Sequence, residues 1–417
     1  MNIEGAATRV IQGGAAAKAS GSPGEPRHYA FLDALRGIAA TGVVAVHTAQ
    51  NFPPPVLRSV IGFGAYGVQL FYIVSAFSLC LSLDQRRRQE HRPLLNFALR
   101  RFFRIAPLFY VAMAVYLLKP FVLPAAAAPI ILDPHSWSLR PWHVLVTLLF
   151  LNGWHYQTIN SIVPGGWSVA VETNFYIVLP LLFALASSFR RALCLFVGSL
   201  AFSIICRKAL YLVFAPHVPP IEEGAFGVFA SLWLPAQLPV FALGILMFRV
   251  VDTTALNGAD VNRRGRMRLW LWTIALVVSV LAISFAPARF GKIVSASTQV
   301  SVAFFFACLI IAERPIRLLV NRVTVFVGKI SYSIYLLHFV ALHLVIWLTR
   351  SWYTPKFGSA PGFFIAFPIV FGLTWIMARA TFQFVERPGQ ALGRRIIAHL
   401  ESRGARVTVE PSRGATV

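Results

Sequence analysis

The chain has 417 residues, 57% of them hydrophobic and only 13% charged, against roughly 25% charged in a soluble domain. Lysine and arginine number 38 against 15 aspartates and glutamates, a formal net charge of +23. This composition excludes collagen-like, disulfide-scaffold and largely disordered chains, and the basic excess, gathered in short loops between apolar runs, reads as positive-inside topology with no nucleic acid involved.

In chain order, residues 1–28 are rich in Ala, Gly and Ser and read as a flexible cytoplasmic tail. Apolar spans are predicted at 31–52, 60–83, 105–123, 167–187, 192–214, 228–248, 269–285, 293–312, 330–349 and 362–384. Each can cross about 30 Å of hydrocarbon as a helix. The piece WHVLVTLLFLNGW at 142–154 is too short to cross and is predicted to be re-entrant or interfacial. The basic segments at 84–104, 190–191, 261–268 and 313–322 are placed in the cytoplasm, which also puts both termini inside. The fold class is therefore an all-α polytopic membrane protein of about ten transmembrane helices plus one re-entrant or interfacial helix. Its membrane domain is expected over 29–388, with a second cytoplasmic tail over 389–417. Cys80, Cys194, Cys206 and Cys308 lie in apolar spans without metal-ligand spacing and are expected to be buried small hydrophobes. No metal site is expected.

Ionisable residues inside spans are costly and therefore candidates for function. In FLDALRGIAATGVVAVH, Arg36 and His47 stand eleven residues apart, ~16 Å along a helix and nearly on one face. Arg36 fits either an anion contact or snorkelling to the interface. His47 fits either a proton acceptor or a buried structural histidine. Glu172, in PGGWSVAVETNF, is the one acid read as lying well inside a span. Trp167 fits an interfacial anchor or a cavity wall. Arg101 and Arg104 share a helical face at i, i+3, which suits phosphate recognition as well as topological anchoring. His338, Ser331 and Tyr335 share a face that fits a cavity lining or a packed polar seam between helices. Arg207 and Lys208 interrupt a span and mark a break or a water-filled cleft. No P-loop and no G-x-S-x-G elbow is present.

These segments, in order, resemble membrane-bound acyltransferase family 3, the bacterial O-acyltransferases of surface polysaccharides and related glycans. The resemblance is carried by FLDALRGIAATGVVAVH, GVQLFYIVSAFSL, RRFFRIAPLFY, GGWSVAVETNFYIVLPLL, GKISYSIYLLHF and FVERP. Ala76 stands where the family commonly has Gly, and Ala170 where Ser is frequent, both positions remaining small. The resemblance implies acyl, expected to be acetyl, transfer from acyl-coenzyme A to a saccharide hydroxyl at the inner membrane. It further implies His47 and Glu172 as catalytic residues, Arg36, Arg101 and Arg104 as contacts of the donor, and Trp167, Tyr335 and His338 as cavity lining. Acyl-coenzyme A is expected as a substrate, with no resident cofactor, and the partners are a glycan acceptor and the lipid bilayer. The alternative from the residues alone is a secondary transporter or flippase using the same ionisable groups.

Overall fold

A computed structural model describes residues 29–54, 57–122, 140–256, 264–285, 294–349 and 359–409. The tail expected over 1–28 lies outside the described residues, as do 410–417. Among the described residues the chain forms helices and turns without a strand. In hydrocarbon only a helix satisfies every backbone N–H and C=O within one segment.

The helices are α1 (Ala30–Asn51), α2 (Arg58–Gly62), α3 (Gly67–Arg86), α4 (Pro93–Val122), α5 (Pro141–Leu148), α6 (Gly166–Leu185), α7 (Phe189–Phe214), α8 (Glu223–Leu232), α9 (Leu234–Leu256), α10 (Arg264–Phe285), α11 (Ala296–Glu313), α12 (Arg322–Lys329), α13 (Ser331–Thr349), α14 (Ser359–Thr381) and α15 (Arg387–Val409). Among the described residues, 10 helical stretches are long and apolar enough to cross a membrane. Each overlaps one predicted span, although the third starts earlier, at Pro93, and the last runs on to Arg403. The short apolar piece becomes α5 followed by a 3-10 turn at Asn152–Trp154. At ~12 Å, α5 is well short of a crossing.

The chain divides into two compact units. One comprises Met1–Val43, Gly62–Cys80 and Phe183–Ser331. Within it α9 packs on α7 and α11, and α10 packs on α11. α7 runs unbroken through Arg207 and Lys208, so the expected break is absent. Cys80 and Cys308 are buried as expected, but Cys194 is exposed and Cys206 half-buried. Both stand on α7 beside outward Val197, Ile205 and Leu212, a face whose solvent is lipid.

The other unit comprises Val44–Ile61, Leu81–Leu182 and Tyr332–Val417. Here the flexible tail expected beyond the last span is corrected. α14 passes through a π-helical turn at Phe382–Glu386 directly into α15, which packs along α4. The approach is close because Gly389 and Gly393 lack a Cβ: one would fall 2.8 Å from Pro107 Cγ and from Phe103 Cβ respectively. Glu401 then anchors the far end of α15. Its carboxylate accepts from the backbone N–H of His91 (2.9 Å) and Arg92 (3.2 Å) and from Asn96 Nδ2 (2.6 Å). A polar helix that looks solvated by composition is thus held by partners remote in sequence.

Candidate active site

The second unit gathers most of the singled-out residues into two polar clusters. The first surrounds His47, near the C-terminal end of α1. Its imidazole is part-exposed, and Nδ1 lies 2.7 Å from Gln50 Oε1, one helical turn on. An amide oxygen only accepts, so with that oxygen toward the ring Nδ1 carries the proton and Nε2 keeps its lone pair. His338, on α13, lies beside it with ring centroids 5.4 Å apart and planes 25° from parallel. Phe339 covers both rings at 4.6 and 4.1 Å.

His338 is 1% exposed, and its Nδ1 donates to the Tyr335 carbonyl at 2.6 Å. Because a carbonyl cannot donate, this bond places a proton on Nδ1, and in the neutral ring the lone pair is then on Nε2. That Nε2 is buried and has no hydrogen-bond partner among the described residues. Both imidazoles therefore turn a neutral acceptor nitrogen away from their protein partners.

Tyr335 closes the cluster. Its hydroxyl donates to the Gly165 carbonyl at 3.0 Å and accepts from Ser168 Oγ at 2.8 Å. Gly165 has φ +73°, and a Cβ there would come 2.9 Å from the Tyr335 hydroxyl. Only glycine fits both conditions. The bend delivers Trp167 into α6 as a buried residue, which removes the reading of this tryptophan as a surface anchor.

The second cluster is charged. Glu172, part-buried on α6, accepts a hydrogen bond from Tyr176, which also interacts electrostatically with Arg101 and Arg104. Tyr332, on the same helix as His338, donates to the Ile105 carbonyl at 2.9 Å and feels Glu386, Glu172 and Arg104. Glu386, at the end of the π turn, is 3% exposed and accepts from Ser333, which in turn accepts from Thr381 at 3.2 Å. Arg104 is exposed and reaches Glu386 only through its field, with no ion pair to it among the described residues. Arg101 lies over the Phe97 ring at 5.6 Å. Beside it a groove of about 240 Å³ is lined by Phe97, Arg101, Phe102, Phe150, Tyr176 and Ile177. Phe150 holds φ 56°, rare for a bulky residue, with its carbonyl accepting from Asn174 at 2.8 Å.

The singled-out residues divide between these clusters and the other unit. The groups paired with the His47 ring are Gln50, His338 and Phe339, whereas Glu172 pairs with Tyr176 in the charged cluster. Two further acids are buried, Asp33 in the first turn of α1 and Glu386 at the end of the π turn. Arg36 belongs to the other unit, where it donates to Asp33 Oδ1 (2.9 Å) and Ser78 Oγ (2.7 Å). Gln50, Ser333 and Glu386 were not singled out from the sequence. Gln50 was findable as the i+3 neighbour of His47; Glu386 sat in the FVERP motif but beyond the apparent end of its span.

A family model described as an acyltransferase domain matches residues 29–379. The chain belongs to that family. Among curated proteins it is similar to O-acetyltransferase OatA of Staphylococcus aureus strain NCTC 8325 / PS 47, with 23% identity over 395 residues, covering 90% of this chain and 59% of the relative. "Putative O-acetyltransferase SACOL0978" of S. aureus strain COL is 23% identical over 396 residues, 87% of this chain and 57% of the relative. "Putative acetyltransferase ORF330" of Acidianus two-tailed virus is 26% identical over 327 residues, 75% of this chain and 82% of the relative. The chain thus spans little more than half the length of these staphylococcal relatives. No solved structure matches significantly.

Proposed function

We propose that this acyltransferase moves an acyl group, acetyl by analogy with its relatives, from acyl-coenzyme A to a hydroxyl of a glycan at the inner membrane, with both termini in the cytoplasm. The observation that carries the reading is the neutral, under-partnered imidazole pair of His47 and His338 inside a family of acyltransferases. A hydroxyl has a pKa far above 7 and needs a base as it attacks. His47, part-exposed and with Nε2 free to accept, is assigned that role. The hydroxyl proton passes to His47 Nε2 as the new C–O bond forms. The C–S bond of the thioester then breaks, and the imidazolium returns the proton to the departing thiolate.

The arginines serve the donor. Coenzyme A carries phosphate groups, and an exposed guanidinium without an ion pair, such as Arg104, is suited to them. Arg101 is assigned the same duty. Glu172 is assigned to the site as the group that fixes Tyr176 within the arginine field. Trp167 and Tyr335 are assigned to its walls.

The test is direct. Purified protein in lipid nanodiscs, given acetyl-coenzyme A and isolated surface glycan, is expected to release coenzyme A and leave an ester on the glycan. Release without an ester on the glycan would rule out the acceptor, and no release at all would rule out the donor.

A further inference from the structure

We infer that His338 binds a second hydroxyl of the acceptor, adjacent to the one acylated, so that the site selects a vicinal diol; this rests on the assignment of His47 as the base. A buried polar atom without a partner is uncommon in a folded protein and calls for a specific explanation. His338 Nε2 is such an atom. Burial in an apolar interior favours the neutral ring, and in the neutral ring the Nδ1 bond to the Tyr335 carbonyl leaves Nε2 as the acceptor, so what completes it is an O–H or N–H donor. The base reading leaves His338 unused: an attacking hydroxyl has one proton, and His47 takes it.

The two rings lie near-parallel with 5.4 Å between centroids, so a second acceptor stands next to the proposed base. Neighbouring hydroxyls on one sugar ring supply two O–H donors that can diverge, one to each imidazole. The attacking hydroxyl meets His47 Nε2, and its neighbour meets His338 Nε2. Among the described residues the His47 ring has one hydrogen bond, to exposed Gln50, and binding of the diol requires that ring to turn aside as the acceptor enters. His338 keeps its place through Nδ1 on the Tyr335 carbonyl, and the Tyr335 side chain is itself bonded to Ser168 and Gly165. His338 is thus a specificity-determining residue. A site built to hydrogen-bond a hydroxyl discriminates strongly against an analogue lacking it, because its buried polar group is then stranded.

Two linked measurements test this. First, surface glycan from cells expressing the full chain, or its His47→Ala variant, is analysed by two-dimensional NMR for His47-dependent esters. Each acylated carbon is expected to adjoin a carbon bearing a free hydroxyl. Second, the oligosaccharide so identified is compared with its derivative methylated at that neighbouring hydroxyl, using nanodisc-embedded protein and acetyl-coenzyme A. Wild type is expected to lose about 10- to 100-fold in kcat/KM on the methylated acceptor. His338→Ala is expected to lose as much on the diol and nothing further on the derivative. His338→Gln, which keeps an acceptor oxygen, is expected to recover part of the preference and guards against misfolding of the alanine variant. Esters on isolated hydroxyls, or equal use of both acceptors by wild type, would overturn the inference while leaving acyl transfer intact. Absence of any His47-dependent ester would instead overturn the base assignment, and this inference with it.

Discussion

The imidazole cluster around His47 and His338 and the charged cluster around Glu172, Arg101, Arg104 and Glu386 are both polar groups among apolar helices, yet they are satisfied differently. In the first, each ring spends Nδ1 on the protein, and His338 Nε2 has no hydrogen-bond partner among the described residues. In the second, acids, tyrosines and arginines answer one another, through Tyr176 on Glu172, Ser333 on Glu386, and the field of Arg104. A neutral acceptor is the cheapest polar group to leave incomplete in an apolar interior, whereas an unpaired buried charge costs several kcal/mol. The proposed function gives proton transfer to the first cluster and donor binding to the second. α13 carries residues of both, with Tyr332 and Ser333 at one end and Tyr335 and His338 within about the next one and a half turns.

The sharpest way to break the comparison is His47→Ala. Turnover at saturating substrates is expected to fall on the order of 10²–10⁴-fold, the contribution of a positioned base, with the melting temperature near wild type because the ring makes one exposed hydrogen bond. Arg101→Ala with Arg104→Ala comes next. The KM for acyl-coenzyme A is expected to rise about 10- to 100-fold, each direct charge-assisted contact contributing on the order of 1.5–3 kcal/mol, while acceptor KM stays constant. Lysine at both positions is expected to restore only part, because a point charge lacks the guanidinium fork.

Gly165→Ala probes the frame of the imidazole cluster. The φ of +73° and the contact with the Tyr335 hydroxyl leave no room for a Cβ. A loss of about 1–3 kcal/mol in stability is expected, read as a lower melting temperature in detergent together with reduced acceptor affinity. Glu401→Gln should have the smallest effect. It weakens the anchor of α15 on the start of α4, and faster amide exchange at 91–96 and 395–403 is expected with turnover unchanged.

How far these clusters were readable in advance differs between them. The ten crossings follow from hydropathy alone, because lipid forces each span to be one apolar helix. Arg36, His47, Glu172 and the Arg101/Arg104 pair could be singled out for the same reason, as polar groups in costly places. What could not be read was which of them meet. The closeness of His47 to His338 depends on α1 and α13 standing side by side, and helix adjacency leaves no local trace in a chain without repeats. Glu386 escaped because hydropathy drops after Phe384, while the backbone continues through the π turn and buries the carboxylate against Ser333. The helical α15 escaped for a similar reason, since its stability comes from Gly389, Gly393 and Glu401 meeting α4 rather than from its own composition.

The division of labour between the two clusters is tested most directly by the single-turnover rate of acyl transfer at saturating acyl-coenzyme A. His47→Ala is expected to remain slow however much donor is added. Arg101→Ala with Arg104→Ala is expected to approach the wild-type rate once donor is saturating. A His47→Ala protein that reaches the wild-type rate, or an arginine double variant that stays slow at saturation, would contradict the account.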